Sequence, residues 1–188
     1  MVLLLPGSRV GELQRHLPVM IKALGQIYMK RSDVLVKMVL PNENLKQLAY
    51  DMTPMKADVE FQIGNLPQAL AQADVAIAST GTVTVECAFF GVPTVTLYKT
   101  SWSTYQIAKR IVKVKWLTMP NILADEEIYP EFVQGAATPD RLAGAALDLL
   151  QNEPRRIQIK KRLAQVVSSL GGPGANARAA TAILSLLP

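Results

Sequence analysis

The chain has 188 residues, 49% of them hydrophobic and 19% charged, with a formal net charge of +5. That length supports one sizeable core and the composition excludes a disordered chain or a fibrous repeat. One cysteine, Cys87, excludes an internal disulfide framework and a cysteine-rich zinc site, while the positive charge favours phosphates, anionic lipid or nucleic acid without choosing among them.

Val2–Leu5 is a short apolar run ended by Pro6-Gly7. It reads as a fully buried strand, and it is too short, and without a basic leader, for a signal-peptide core. Leu13, Leu17, Met20, Ile21, Leu24 and Tyr28 recur at helical spacing. Pro18 argues for a turn around Gly11–His16 and a main helix from about Leu17, which makes His16, the single histidine, an exposed turn residue. Val34–Leu40 is a second strand, Glu43–Met52 a helix, Val59–Ile63 a third strand and Leu66–Ala73 a short helix. Asp74–Ala78 is a fourth strand, Ser79–Thr82 the loop after it, Val83–Phe90 a helix stopped by Gly91, and Pro93–Tyr98 a fifth strand. Alternation at this pitch implies right-handed crossovers and a Rossmann-like parallel sheet with helices on both faces. Cys87, in Cys87-Ala-Phe-Phe, is a small core residue.

The last third is helical in pattern. Trp102–Val114 carries a basic face of Lys109, Arg110, Lys113 and Lys115, interleaved with Trp102, Tyr105 and Trp116, a mixture suited to an anionic membrane interface. Asp125, Glu126 and Glu127 read as a solvated acidic turn. Thr138-Pro139-Asp140 starts a helix reaching about Leu150, Asn152-Glu153-Pro154 opens another, Gly171-Gly172-Pro173-Gly174 breaks it, and Ala175–Leu187 is the last. Without a linker in view, residues 1–188 read as one α/β domain whose C-terminal helices span 139–188.

Ligands of open parallel sheets bind at the carboxyl ends of strands. Three loops fall there: Pro6-Gly7-Ser8-Arg9 with Glu12 beyond it, Ser79-Thr80-Gly81-Thr82 leading to Glu86, and Tyr98-Lys99-Thr100-Ser101. A glycine at the second turn admits a ligand close to the backbone, and the first free amides of the helix make an anion site suited to a diphosphate. Glu86, one turn in, can accept two hydrogen bonds from a ribose diol. The plain alternative is a capped helix start with a solvated glutamate. Arg9 can fork onto a phosphate or a base carbonyl, or serve as a surface charge. Two such loops in one chain weigh more than either. Neither a Gly-x-Gly-x-x-Gly nor a Walker lysine loop occurs, which argues against a dinucleotide enzyme and a phosphate-loop ATPase.

Leu4-Leu5-Pro6-Gly7-Ser8-Arg9-x-x-Glu12 resembles the loop that opens the C-terminal half of the lipid-A-disaccharide synthase family. The similarity continues through Ala78-Ser79-Thr80-Gly81-Thr82-x-Thr84-x-Glu86, Pro93-Thr94-Val95, Tyr98-Lys99, Ala108-Lys109-Arg110 with Val112-Lys113, Pro120-Asn121-Ile122-Leu123-Ala124 and Pro130-Glu131-Phe132-x-Gln134. It closes on Leu170-Gly171-Gly172-Pro173-Gly174-Ala175 with Arg178-Ala179-Ala180. These ordered motifs span nearly the whole chain.

The resemblance implies one half of a GT-B glycosyltransferase of two Rossmann-like domains, inverting at the anomeric centre. Such an enzyme joins UDP-2,3-diacylglucosamine to 2,3-diacylglucosamine 1-phosphate and releases UDP, without metal or other cofactor, at the cytoplasmic face of the bacterial inner membrane. By the same resemblance Arg9 contacts the nucleotide, Gly7 and Ser8 shape its pocket, Thr80, Gly81 and Thr82 lie at the diphosphate, and Glu86 at the ribose. Asn121, Glu131 and Gln134 match positions near the sugar and diphosphate, and act across a homodimer where C-terminal segments are exchanged. The acyl acceptor and the general base are expected in an N-terminal domain absent from these residues, so the chain is expected to bind donor and not to turn over alone. Thr80 stands where many relatives have glycine, which makes the loop less open. The other readings are half of a different UDP-sugar enzyme, such as a UDP-N-acetylglucosamine epimerase or a peptidoglycan glycosyltransferase, and a non-catalytic UDP-sugar or membrane-surface module. The Pro-Asn-Ile-Leu-Ala and Gly-Gly-Pro-Gly-Ala blocks argue against the first of these, and no nucleic-acid partner is expected.

Overall fold

A computed structural model describes residues 1–55, 57–111, 114–172 and 174–186. Val112, Lys113, Pro173 and Leu187, named above, lie outside the described residues. In chain order the elements are β1 (Val2–Leu5), α1 (Val10–Lys30), β2 (Val36–Leu40), α2 (Glu43–Met52), β3 (Glu60–Ile63), α3 (Leu66–Gln72), β4 (Val75–Ser79), α4 (Val83–Phe89), β5 (Thr94–Tyr98) and α5 (Trp102–Ile111). There follow α6 (Met119–Ala124), β6 (Glu131–Val133), one 3₁₀ turn (Gln134–Ala136), α7 (Pro139–Gln151), α8 (Glu153–Ser169) and α9 (Ala175–Leu184).

All six strands are parallel, in the order β3-β2-β1-β4-β5-β6. Every residue of the central strands β1 and β4 is buried, as continuous apolar runs covered on both faces must be. The edge strand β3 is half exposed. On one side α1 packs against α2 and α7; on the other, α4, α6 and α8 pack together. Right-handed crossovers from β1 toward β3, then from β4 toward β6, put these two groups on opposite faces. The α9 helix buries none of its residues.

Two features depart from the sequence reading. First, α1 starts at Val10 and runs through Pro18. Proline removes the amide that would bond the Gln14 carbonyl, but both residues are exposed, so the unpaired acceptor falls on the solvent side, where it costs little. The inward stripe of Leu13, Leu17, Met20, Leu24 and Ile27 meanwhile stays buried. An interior proline costs about 3 kcal/mol relative to alanine, of which stiffening of the unfolded chain returns up to about 1 kcal/mol. Pro18→Ala is therefore expected to stabilise the fold by about 2 kcal/mol, read as a Tm rise of about 4–8 °C. Second, β6 and α6 were not anticipated. Three residues of β6 extend the sheet through Thr96↔Glu131, Leu97↔Phe132 and Tyr98↔Val133. Glu126 is not merely solvated either: Arg162 of α8 pairs with it and holds its carboxyl below the usual range.

Candidate functional site

The strand order reverses between β1 and β4, so the loops after these two strands diverge to opposite faces and leave a crevice between them. Leu5 stands in register with Ala78, which brings the Pro6–Arg9 loop beside the Ser79–Thr82 loop. A cavity of about 500 Å³ opens there, lined by Gly7, Ser8, Arg9 and Glu12 from one side and Ser79, Thr80, Gly81, Thr82 and Glu86 from the other. Nine of the twelve proposed substrate-binding residues thus meet in one place. Val83, at the helix start where the free amides were expected, adds to it, and the remaining wall, from Leu5, Val39, Leu40, Pro41, Gly64 and Leu66, was missed by the sequence reading. The strand-end rule that flagged the other loops applies equally to Pro41 after β2 and Gly64 after β3.

In the first loop Gly7 takes φ +126°, a conformation that side chains rarely adopt. A Cβ there would stand 2.5 Å from Glu12 Oε2 and 2.7 Å from Glu12 Cβ. Glu12 fills that space for a reason: Oε2 accepts the Ser8 amide at 3.0 Å and Oε1 meets Arg9 Nη1 at 3.3 Å. Its carboxylate therefore closes the turn at the start of α1 and aims Arg9, rather than standing free for a ligand. The Arg9 side chain is 81% exposed, so this pair is a weak tether.

In the second loop Gly81 has φ +150° and open space where a Cβ would be. The Thr84 hydroxyl donates to the Gly81 carbonyl at 2.7 Å, fixing the turn from behind. Among the described residues, nothing accepts from the amides of Gly81, Thr82 and Val83, and Thr82 makes no side-chain cap. Helix α4 is seven residues long, so what this turn offers a ligand is three free loop amides more than a long macrodipole. Glu86 is exposed on the cavity wall, one turn along.

Asn121, Glu131 and Gln134 do not line this cavity. Asn121 is fully buried and uses its whole amide: Nδ2 donates to the Tyr129 carbonyl and Glu131 Oε1, both at 2.8 Å, and Oδ1 accepts the Ile128 and Tyr129 amides, both at 2.9 Å. The Glu131 carboxylate also accepts from the Leu117 amide and from the Thr118 amide and hydroxyl, closing the start of α6. Gln134, at φ +49°, pairs its side-chain amide with both backbone groups of Thr100 and accepts Lys99 Nζ on its carbonyl at 2.9 Å. These three residues brace the segment beside the third loop.

His16 is not an exposed turn residue. It is wholly buried on the inward stripe of α1, with Nδ1 2.8 Å from the Pro6 carbonyl and Nε2 accepting the Lys99 amide at 3.0 Å. Burial outweighs the other influences and holds its pKa below 6.5. Cys87 is buried as expected, its thiol pushed up to about 12 by desolvation, which leaves it inert. Of the residues assigned to a membrane surface, Trp102, Lys109, Arg110 and Lys115 are exposed; Trp116 is half-buried, with Lys115 Nζ 4.9 Å above its ring. No helix among the described residues is long and apolar enough to cross a membrane.

Sheet order, crevice and paired loops define a Rossmann-like half of the kind found in GT-B glycosyltransferases. The glycotransferase of kitacinnamycin superposes with a TM-score of 0.62 at 24% identity, over 100% of this chain and 43% of its own. A Staphylococcus aureus MnaA structure solved with UDP gives 0.59 at 12%, over 86% and 40%. Likeness at such identities concerns the fold alone. Sequence goes further: the family model for lipid-A-disaccharide synthetase matches residues 1–185. The lipid-A-disaccharide synthase of Solibacter usitatus is 38% identical over 189 residues, covering 100% of this chain and 49% of that protein. The chain belongs to the lipid-A-disaccharide synthase family and spans about half the length of the curated relatives it matches.

Proposed function

We propose that this chain holds the donor in a glycosyltransferase that joins UDP-2,3-diacylglucosamine to 2,3-diacylglucosamine 1-phosphate and releases UDP. The carrying observation is the shared cavity: Arg9 and the unpartnered amides of residues 81–83 line the same space, with Glu86 at its wall. Displacement of UDP from the anomeric carbon builds negative charge on the diphosphate. Fixed amides and a guanidinium stabilise that charge without reorganising at the moment of reaction. Glu86 accepts the ribose hydroxyls, and the apolar end by Leu40, Pro41, Gly64 and Leu66 takes the base. Binding of the acylated acceptor and removal of its proton are assigned to the half of the relatives that lies outside the match. The exposed Trp102, Lys109, Arg110 and Lys115 support docking on an anionic membrane at its cytoplasmic face. The unburied α9 is where a second copy would engage.

Calorimetric titration of UDP at pH 8 into the wild type, Arg9→Ala and Glu86→Ala tests the site. Wild type binds; Arg9→Ala binds about 10–100-fold more weakly, the worth of a hydrogen bond to a charged group, and Glu86→Ala about 10-fold. Equal heats from all three proteins refute the assignment.

A further inference from the structure

The function proposed above leaves His16 unused, yet both of its ring nitrogens are hydrogen-bonded to backbone beside the site. A carbonyl only accepts, so the Nδ1 facing Pro6 carries the proton; an amide only donates, so the Nε2 facing Lys99 is bare. The ring is therefore neutral and locked in one tautomer. Its two partners matter because of the strand order. Pro6 follows β1 and Lys99 follows β5, and these strands are not neighbours: β4 lies between them and ends in the Ser79–Thr82 loop. His16 thus spans the end of β4, tying the residue before the Gly7 turn to the third loop, which Gln134 clamps from its far side.

We infer that His16 is a positioning residue of the donor site, a neutral bridge that keeps the Gly7–Arg9 turn in register with the 99–100 loop and slackens when it takes up a proton. The inference rests on the donor reading for its ligand. A protonated ring turns Nε2–H against the Lys99 N–H, donor against donor, and that bond is lost. Among the groups that bear on the ring, Glu12 favours the proton and Arg15 opposes it, both from α1. The β5 side presents the Tyr98 ring, its centroid 6.3 Å away, and the Lys99 amide, while the Lys99 ammonium is turned to Gln134. The β1 side presents the Pro6 carbonyl. Burial is the largest influence and disfavours the charge, so His16 is neutral at pH 7.5. The sign follows. The unfolded chain takes up this proton near pH 6.5 and the folded chain only at lower pH, so stability and loop register are full above about pH 6.5 and fall as the solution is acidified through the folded pKa.

The probe is UDP-N-acetylglucosamine, whose diphosphate diester stays fully ionised between pH 5 and 8. Its affinity is measured across that range for wild type, His16→Leu and His16→Gln, alongside nitrogen-15 NMR of the ring and of the Lys99, Gly7, Ser8 and Arg9 amides. Wild-type affinity is expected to hold from pH 8 to about 6.5 and to fall below that, by less than about 10-fold at pH 5.5, in step with the ring's own titration. His16→Leu binds about 10-fold more weakly at pH 7.5. His16→Gln, which offers both a donor and an acceptor but no titrating group, recovers most of that loss, and both variants give flat profiles. In wild type the four amides move with the His16 ring in a single titration that both variants abolish. A ring that does not titrate between pH 8 and 5, an affinity that stays flat while the ring titrates, or amides of Lys99 and Gly7 that titrate independently of the ring overturns the inference, and this holds even if His16→Leu fails to fold. Should the wild type not bind the probe at pH 7.5, the donor reading fails, and the NMR titration still decides the bridge.

Discussion

Replacing Asn121 with alanine is expected to lower the unfolding free energy by about 3–5 kcal/mol, among the largest effects a single substitution produces. The side chain is fully buried and its four hydrogen bonds leave no capacity unused. Alanine strands the Tyr129 amide and carbonyl in a place that water does not reach, each at a cost of about 1–3 kcal/mol, not additively, and takes one partner each from the Ile128 amide, which keeps the Glu126 carbonyl, and from Glu131 Oε1, which keeps Thr118. The Glu131 carboxylate that closes the start of α6 is loosened as well. Aspartate does not rescue: it keeps an acceptor for the two amides but turns its second oxygen on the Tyr129 carbonyl and the Glu131 carboxylate. Chemical denaturation of wild type, Asn121→Ala and Asn121→Asp checks this, with both variants expected well below wild type. A variant that unfolds like the wild type yet binds donor weakly would instead return Asn121 to a ligand contact.

The residues around Pro18 show what limits a reading of sequence. Leu13, His16, Leu17 and Met20 lie at the spacing of one helical face, so periodicity places His16 indoors. Giving Pro18 its local meaning starts the helix too late and leaves His16 in a turn. The structure shows why the local rule loses: the lost hydrogen bond falls on the wet side of α1, while the buried stripe of this 21-residue helix holds it together. The two loops that meet at the cavity were legible because their signals are local, with glycine, hydroxyl and charged residues placed just after apolar runs. Pro41 and Gly64 also follow strand ends, but that these ends face the same crevice follows from the strand order, which no single stretch contains. The strand β6 was hidden by length and by pairing. Three residues, Glu131, Phe132 and Val133, show no alternation of their own, and they are extended because β5 offers them an edge.

Gly7→Ala is expected to weaken UDP binding by about 10–100-fold, as much as loss of Arg9 itself, while costing about 1–3 kcal/mol of stability, the range for a side chain forced into a left-handed conformation. The added methyl has nowhere to go: its nearest neighbours are Glu12 Oε2 at 2.5 Å and Glu12 Cβ at 2.7 Å, and the second belongs to the root of a helix-borne side chain, which cannot swing clear. Glu12 must give up the Ser8 amide, and Arg9 loses the carboxylate that aims it. A double-mutant cycle separates collision from strain. Combining Gly7→Ala with Glu12→Gly removes both opposing atoms, so thermal melts read against Glu12→Gly alone should show part of the stability returning. The backbone strain at φ +126° and the unaimed Arg9 remain, so calorimetry should show no recovery of UDP binding. Normal UDP binding by Gly7→Ala alone would remove the first loop from the site, leaving the amides of residues 81–83 without the cation that the leaving-group argument requires.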